Sequence, residues 1–204
     1  YYGNKTSGTL HNLRAELSAV HALHLTAAPL PTQIGPKSQL CQRIAAQLSG
    51  PFVDAPQFVV SFLLPDNTPR TLALELPVCI NKFMQPKNLQ PDEFFANWRQ
   101  ELFLLNEAAS LVSAVMNLAQ IARAATLGGA LLLHHQIDTT SDNLVLAAQF
   151  PSDSPDGIRC VTIPEALVLV RIEVACGQSR IAVRSNDPVV AEAVLKCLVE
   201  QISI

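Results

Sequence analysis

The periodicity of apolar residues changes once along this chain, near residue 86, and the change separates two kinds of structure. Before it, Leu72, Leu74, Leu76 and Val78 alternate with Thr71, Ala73 and Glu75, as a half-buried strand requires. An apolar run at residues 58–64 precedes that strand, and Pro65-Asp66-Asn67-Thr68-Pro69 lies between them as a polar turn. The pair predicts an antiparallel hairpin, with Pro77 marking an edge or a strand end. After Pro86, Phe94, Phe95, Trp98 and Leu102 recur at spacings of three and four, which predicts a helix over residues 92–105. Asn106 can cap a second helix over 107–118. Strands are expected at 130–135, 144–150, 166–174 and 179–184, with turns at 139–143 and 152–157. A final helix follows, capped by Asp187, opened by Pro188 and carrying Val190, Val194, Cys197 and Leu198 on one side through Ile202. An all-β part therefore meets a mixed part, with helices beside a sheet, near Phe83.

The first fifty residues are less decisive. The chain opens in Tyr1-Tyr2-Gly3-Asn4-Lys5-Thr6-Ser7-Gly8, a strand end followed by a polar turn, which suggests that earlier residues are absent. Leu10, Leu13, Leu17 and Val20 follow helical spacing, whereas Leu13, Ala15, Leu17 and Ala19 fit alternation by two. Composition alone favours a helix over 10–25. Pro29, Pro31, Gly35 and Pro36 then form a connector. Residues 40–48 fit a strand as well as a helix.

Hydrophobic residues make up 49% of the 204 and charged residues 15%, a folding composition. The net charge of -3, without a long run of either sign, offers no general attraction for nucleic acid or for an anionic bilayer. The longest apolar runs, 127–133 and 166–170, fall short of the roughly 20 residues that span a membrane. Direct membrane insertion is not expected, and any membrane association has to come through a partner. Cys41, Cys79, Cys160, Cys176 and Cys197 are dispersed and lack a CxxC pair, which points to free thiols in a reducing compartment. Asn4-Lys5-Thr6 matches the glycosylation acceptor pattern, a short and common one.

Catalytic and metal signatures are missing at the level of spacing. His134 and His135 are adjacent, so in a strand they point to opposite faces and do not share a metal. No nucleophile motif surrounds any thiol, although a cysteine-dependent hydrolase is a remote alternative. Gly128-Gly129 lacks the spacing and lysine of a phosphate loop and reads as a turn. No cofactor is expected.

The feature that stands out is Phe94-Phe95-Ala96-Asn97-Trp98-Arg99. The two phenylalanines are separated by about 100 degrees around a helix, so the three rings cannot all face one narrow core stripe. Either all three pack under the sheet, or Trp98 and one phenylalanine form a partly exposed apolar floor for a ligand's ring.

At these residues the sequence resembles the alpha-adaptin appendage, or ear, of the plasma-membrane clathrin adaptor. The matching blocks are Tyr2-Gly3-Asn4-Lys5-Thr6-Ser7, Leu76-Pro77-Val78-Cys79-Ile80-Asn81-Lys82-Phe83-Met84-Gln85-Pro86, Phe94-Phe95-Ala96-Asn97-Trp98 and Leu169-Val170-Arg171-Ile172-Glu173. The resemblance implies an α+β chain: a truncated immunoglobulin-like β-sandwich at 1–82 and a mixed α/β platform at 83–204. It assigns 10–25 and 40–48 mainly to strands, with the first sandwich strands absent. It further implies a non-enzymatic domain that binds Asp-Pro-Phe, Asp-Pro-Trp and Phe-x-Asp-x-Phe motifs of endocytic accessory proteins. Phe94 and Trp98 would be wall and floor, Phe95 their neighbour, and Arg171, Glu173 and Arg180 the polar rim. The turn between Glu173 and Arg180 is shorter than the family's. Gly3 and Lys5 match part of a second site on the sandwich. The expected setting is the cytoplasmic face of the plasma membrane at clathrin-coated pits, with other adaptor subunits as partners. A structural interaction domain of a related coat subunit, with different ligands, is the competing reading.

Overall fold

The computed structural model describes residues 1–113, 116–134, 138, 140, 142–150, 165–175 and 177–203. Two compact units result: Tyr1–Ser49 with Ala55–Val78, and Gly50–Asp54 with Cys79–Ile204.

The first unit contains only β-strands among its regular elements: β1 (Tyr2–Gly3), β2 (His11–Leu17), β3 (Leu23–Ala27), β4 (Gln39–Leu40), β5 (Ile44–Leu48), β6 (Gln57–Leu63) and β7 (Pro69–Glu75). They pair antiparallel as β2-β6-β7, β3-β5 and β1-β4. The helix favoured by composition over 10–25 does not form; strands β2 and β3 stand there, as the resemblance implied. Alternation decides it: Leu13 is buried, Ala15 and Leu17 are half-buried, and Asn12, Arg14 and Glu16 face outward. Asn12 takes a positive φ of 51° where the β2-β6 register shifts, a conformation its short side chain tolerates.

The β6-β7 hairpin forms as expected, with Leu74 opposite Phe58 and Leu72 opposite Val60. Phe58 and Val60 are buried with Leu10, Leu13 and Ile34, yet Leu72 and Leu74 remain about half exposed. These side chains line a cavity of about 320 Å³. This unit is a sandwich-like arrangement that is not closed.

The second unit is an antiparallel sheet with helices. It opens with a 3-10 turn, Ile80–Phe83, and β8 (Gln85–Pro86), followed by α1 (Pro91–Trp98), α2 (Glu101–Leu105), β9 (Glu107–Ser113) and α3 (Leu118–Ala125). Then come β10 (Leu132–Leu133), β11 (Asn143–Phe150), β12 (Ala166–Ala175), β13 (Gln178–Ser185) and α4 (Pro188–Ile202). The strand order is β10-β11-β12-β13-β9, with β8 also paired to β11. One face of the sheet meets α1 and α2 through Val145, Ala147, Leu169 and Ala182. On the opposite parity Val168, Val170, Ile172, Ile181 and Val183 are fully buried, and α4 packs across β9, β12 and β13.

Two local expectations fail here. Residues 107–113 are not helical but form the edge strand β9, and Asn106 ends α2 instead of capping a new helix. Helix propensities of ordinary residues differ by at most about 0.7 kcal/mol per residue, and pairing with β13 from Glu107 to Ser113 together with burial of Val112 overrides them. The single helix expected over 92–105 is two, interrupted at Arg99 and Gln100. Helix α3 carries a readable signal in its Asn117/Gln120 capping box, in which each side chain accepts from the other residue's backbone N–H. The terminal helix is as expected, with the Asp187 carboxylate accepting from the N–H groups of Val189 and Val190. Residue 135 and the turn at 152–157 lie outside the described residues.

Candidate functional site

Helix α1 places Phe94 and Trp98 one turn apart, so their rings stack, with centroids 5.6 Å apart and planes 16° from parallel. Phe95 meets Phe94 edge-on at 5.4 Å. Phe94 is fully enclosed, Phe95 is partly buried, and Trp98 retains only 9% of its surface. Of the two arrangements that the spacing left open, the rings lie nearer the packed one. The cause lies 86 residues away: the Arg184 guanidinium sits 4.1 Å from the Trp98 ring centroid and also donates to the Trp98 carbonyl. Phe94 supports the indole from within the core, while Phe95, with Arg99 5.8 Å above its ring, reaches toward the surface.

Arg184 escaped sequence reasoning because nothing local links it to α1. Strand register brings it there. On the α1 face of the sheet, Leu169 lies opposite Arg184, which lies opposite Glu107, and Glu173 lies opposite Arg180. From these positions a chain of ion pairs runs across β12, β13 and β9. Asp138 accepts from Arg171 at 3.0 Å, and Arg171 reaches Glu173 at 2.9 Å. Glu173 meets Arg180 at 3.5 Å, Arg180 meets Glu107 at 3.1 Å, and Glu107 holds Arg184 at 2.6 Å. Three guanidinium groups thus alternate with three carboxylates, ending on the indole. Arg171, Glu173 and Arg180, which the resemblance implied, do come together; Asp138, Glu107 and Arg184 are additions.

The members of this ladder are not equivalent. Burial opposes ionisation of Asp138, but the N–H of Thr140, the amide of Asn143 and the charge of Arg171 outweigh it and hold the carboxyl below its usual range. Arg184 is only 13% exposed and tied to Glu107, whereas Arg180 is 41% exposed and its pairs are the long ones. Arg180 is the most exposed guanidinium of the ladder.

The remaining candidates behave differently. Gly3 pairs with Gln39 in the β1-β4 ribbon, and exposed Lys5 accepts from the Lys37 ammonium through its carbonyl. Between them Asn4 is buried, and its amide nitrogen donates to the carbonyls of Gly8, Ile34 and Gly35. That amide is committed to holding the turn, which removes the glycosylation reading of Asn4-Lys5-Thr6 in the folded chain. His134 Nε2 lies 3.0 Å from the Lys87 carbonyl, and His135 is outside the described residues. Gly128 and Gly129 adopt positive φ in the turn after α3. Among the described residues no group of three or more His, Cys, Asp or Glu could hold a metal ion, and no helix is long and apolar enough to cross a membrane.

Comparison with known proteins agrees with this architecture. The family described as Alpha adaptin AP2, C-terminal domain, matches residues 82–202. An AP-2 complex subunit alpha-2 from Dictyostelium discoideum is 26% identical over 99% of this chain. AP-2 complex subunits alpha-1 and alpha-2 from Arabidopsis thaliana are 27% and 26% identical, each again over 99% of the chain. The chain spans about a fifth of the length of these relatives, 20% in the first. With more than half of its residues inside the matched region, the chain belongs to the alpha-adaptin C-terminal, or appendage, domain family, a non-catalytic class of protein-interaction domain.

Proposed function

We propose that the second unit captures short peptide motifs in which phenylalanine or tryptophan accompanies an acidic residue, of the Asp-Pro-Phe, Asp-Pro-Trp and Phe-x-Asp-x-Phe kinds. Endocytic accessory proteins carrying such motifs in their tails are the partners. The domain acts on the cytoplasmic face of the plasma membrane at clathrin-coated pits, within a larger adaptor complex. The observation that carries the reading is the direct junction of an aromatic row with a charge ladder, made where Arg184 lies on Trp98. The ligand's ring packs against Phe95 and the accessible edge of Trp98, and its carboxylate faces Arg180. The ring supplies most of the affinity, and the charge-assisted hydrogen bond selects the motif. Motifs of a few residues bury little surface, so each binds weakly and several copies act together. Gly3 and Lys5 are proposed as part of a second peptide site on the first unit.

Trp98 is the sole tryptophan, so its emission reports on this site directly. Titration with an Asp-Pro-Phe peptide is expected to change that emission, and Arg180→Glu is expected to weaken binding by roughly tenfold while the circular dichroism stays native. Equal binding by both proteins, or calorimetric binding with unchanged indole emission, defeats the assignment. Burial of Trp98 to 9% favours a second reading, in which α1 is architectural and the domain meets partners elsewhere. A peptide-insensitive indole supports that one.

A further inference from the structure

Strand β9 (Glu107–Ser113) ends one side of the six-stranded sheet and pairs with β13 alone. Its register runs from Arg184 opposite Glu107 to Gln178 opposite Ser113 without a shift, so no bulge twists the edge away. Neither proline nor lysine occurs in Glu107-Ala108-Ala109-Ser110-Leu111-Val112-Ser113. The opposite side of the sheet is blunted by comparison: β10 is two residues long, and β8, also two, contains Pro86. Among the described residues no main-chain hydrogen bond reaches the outer side of 107–113. Antiparallel pairing with β13 uses the N–H and C=O groups of every second residue, which leaves those of the others directed outward.

Side chains indicate what kind of chain this edge fits. Glu107, Ala109 and Leu111 share the α1 face of the sheet, whereas Val112 is buried on the α4 face. Leu111 is 69% exposed, a large aliphatic side chain left uncovered directly opposite Arg180, the most exposed guanidinium of the ladder. Ala109, opposite Ala182, is small and exposed, so a larger side chain beside it has room. Level with Glu107 is Arg184, which lies on Trp98. An added strand turns its residues i, i+2 and i+4 to this same face, level with the three positions of β9 in turn. A purely acidic segment leaves Leu111 bare, and a purely apolar one makes no use of Arg180.

We propose that β9 is a strand-addition site for an extended peptide. The peptide main chain pairs with the outward N–H and C=O groups, a large apolar side chain packs on Leu111, and an acidic side chain two positions away faces Arg180. Phe-x-Asp-x-Phe has this arrangement. This mode of binding rests on the peptide reading above and adds to it how the ligand's main chain is held and what selects its second apolar side chain.

The test uses the folded chain and the peptide Ser-Phe-Ser-Asp-Ser-Phe-Ser, with amide hydrogen exchange followed residue by residue by NMR and affinity by calorimetry. Saturating peptide is expected to slow exchange by roughly tenfold or more at alternate amides of 107–113, those left open in the free chain. Leu111→Ala, a truncation at an exposed position, is expected to weaken binding by roughly fivefold. That loss should disappear when one of the two phenylalanines of the peptide is replaced by alanine, and which one reports the direction of the added strand. Heat of binding with unchanged exchange at 107–113 overturns strand addition and leaves the ring and carboxylate reading standing, whereas absence of binding overturns both. Slowing spread evenly over the whole sheet, the mark of global stabilisation, also overturns strand addition. So does an affinity unchanged by Leu111→Ala, or a loss equal for all three peptides. Because the exchange measurement is made on the unsubstituted protein, a variant that folds poorly does not obscure it.

Discussion

The two faces of the six-stranded sheet are made by alternate residues of the same strands, and they serve opposite ends. Toward α4, Val168, Val170, Ile172, Ile181 and Val183 form an aliphatic layer without a charge and without exposed surface. Toward α1 and α2 the same strands offer Val145, Ala147, Leu169 and Ala182 as a floor for aromatic rings, and then Arg171, Glu173, Arg180 and Arg184 beside it. A period of two makes this division possible, because neighbouring residues never compete for one face. Both faces carry buried core, and only the α1 side continues into a charged, partly exposed edge.

This contrast breaks first if the aromatic row is ornamental. Phe94→Ala removes a fully buried ring and is expected to lower stability by about 3–5 kcal/mol in urea unfolding. A loss near zero would mean that α1 is not part of the core. On the other face, Ile172→Val is expected to cost about 1 kcal/mol and to leave Asp-Pro-Phe binding unchanged by calorimetry. A change in peptide affinity there would couple the two faces.

The ladder should be cheap to break. Arg180→Ala is expected to change stability by no more than about 1 kcal/mol, with the difference shrinking as salt is raised, since Arg180 is 41% exposed. A cost comparable to Phe94→Ala would make the ladder a structural element and not a binding edge. The finest test concerns Asp138. Its folded carboxyl titrates below the ordinary value, so its contribution is present above the unfolded value, about pH 3.9, and is lost as pH falls through the lower folded value. The stability difference between the wild type and Asp138→Asn should accordingly narrow across that acid range. A difference constant with pH would contradict the pairing.

Trp98 shows where sequence reasoning reached its limit. The spacing of Phe94, Phe95 and Trp98 identified the row, but both packed and open arrangements satisfied it. The Arg184 guanidinium lies over the indole, which keeps 9% of its surface, and consequently Trp98→Ala is a core truncation as well as a probe of binding. Charge substitution at Arg180 separates those two effects. The resemblance led to Arg171, Glu173 and Arg180 but not to Glu107, Asp138 or Arg184, whose roles depend on register between strands.

What the sequence determined by itself was local. The apolar run over 58–64, the polar turn after it and the alternation over 71–78 specified the hairpin, and Asp187-Pro188 followed by its apolar stripe specified α4, because turn chemistry, caps and periodicity act within a few residues. Tertiary structure decided the rest. Residues 107–113 became an edge strand because β13 offered them a ladder of hydrogen bonds, and Arg184 reached Trp98 across 86 positions because strand register put it on the α1 face. Such outcomes depend on the free energy of pairing with distant segments, which no window of the chain contains.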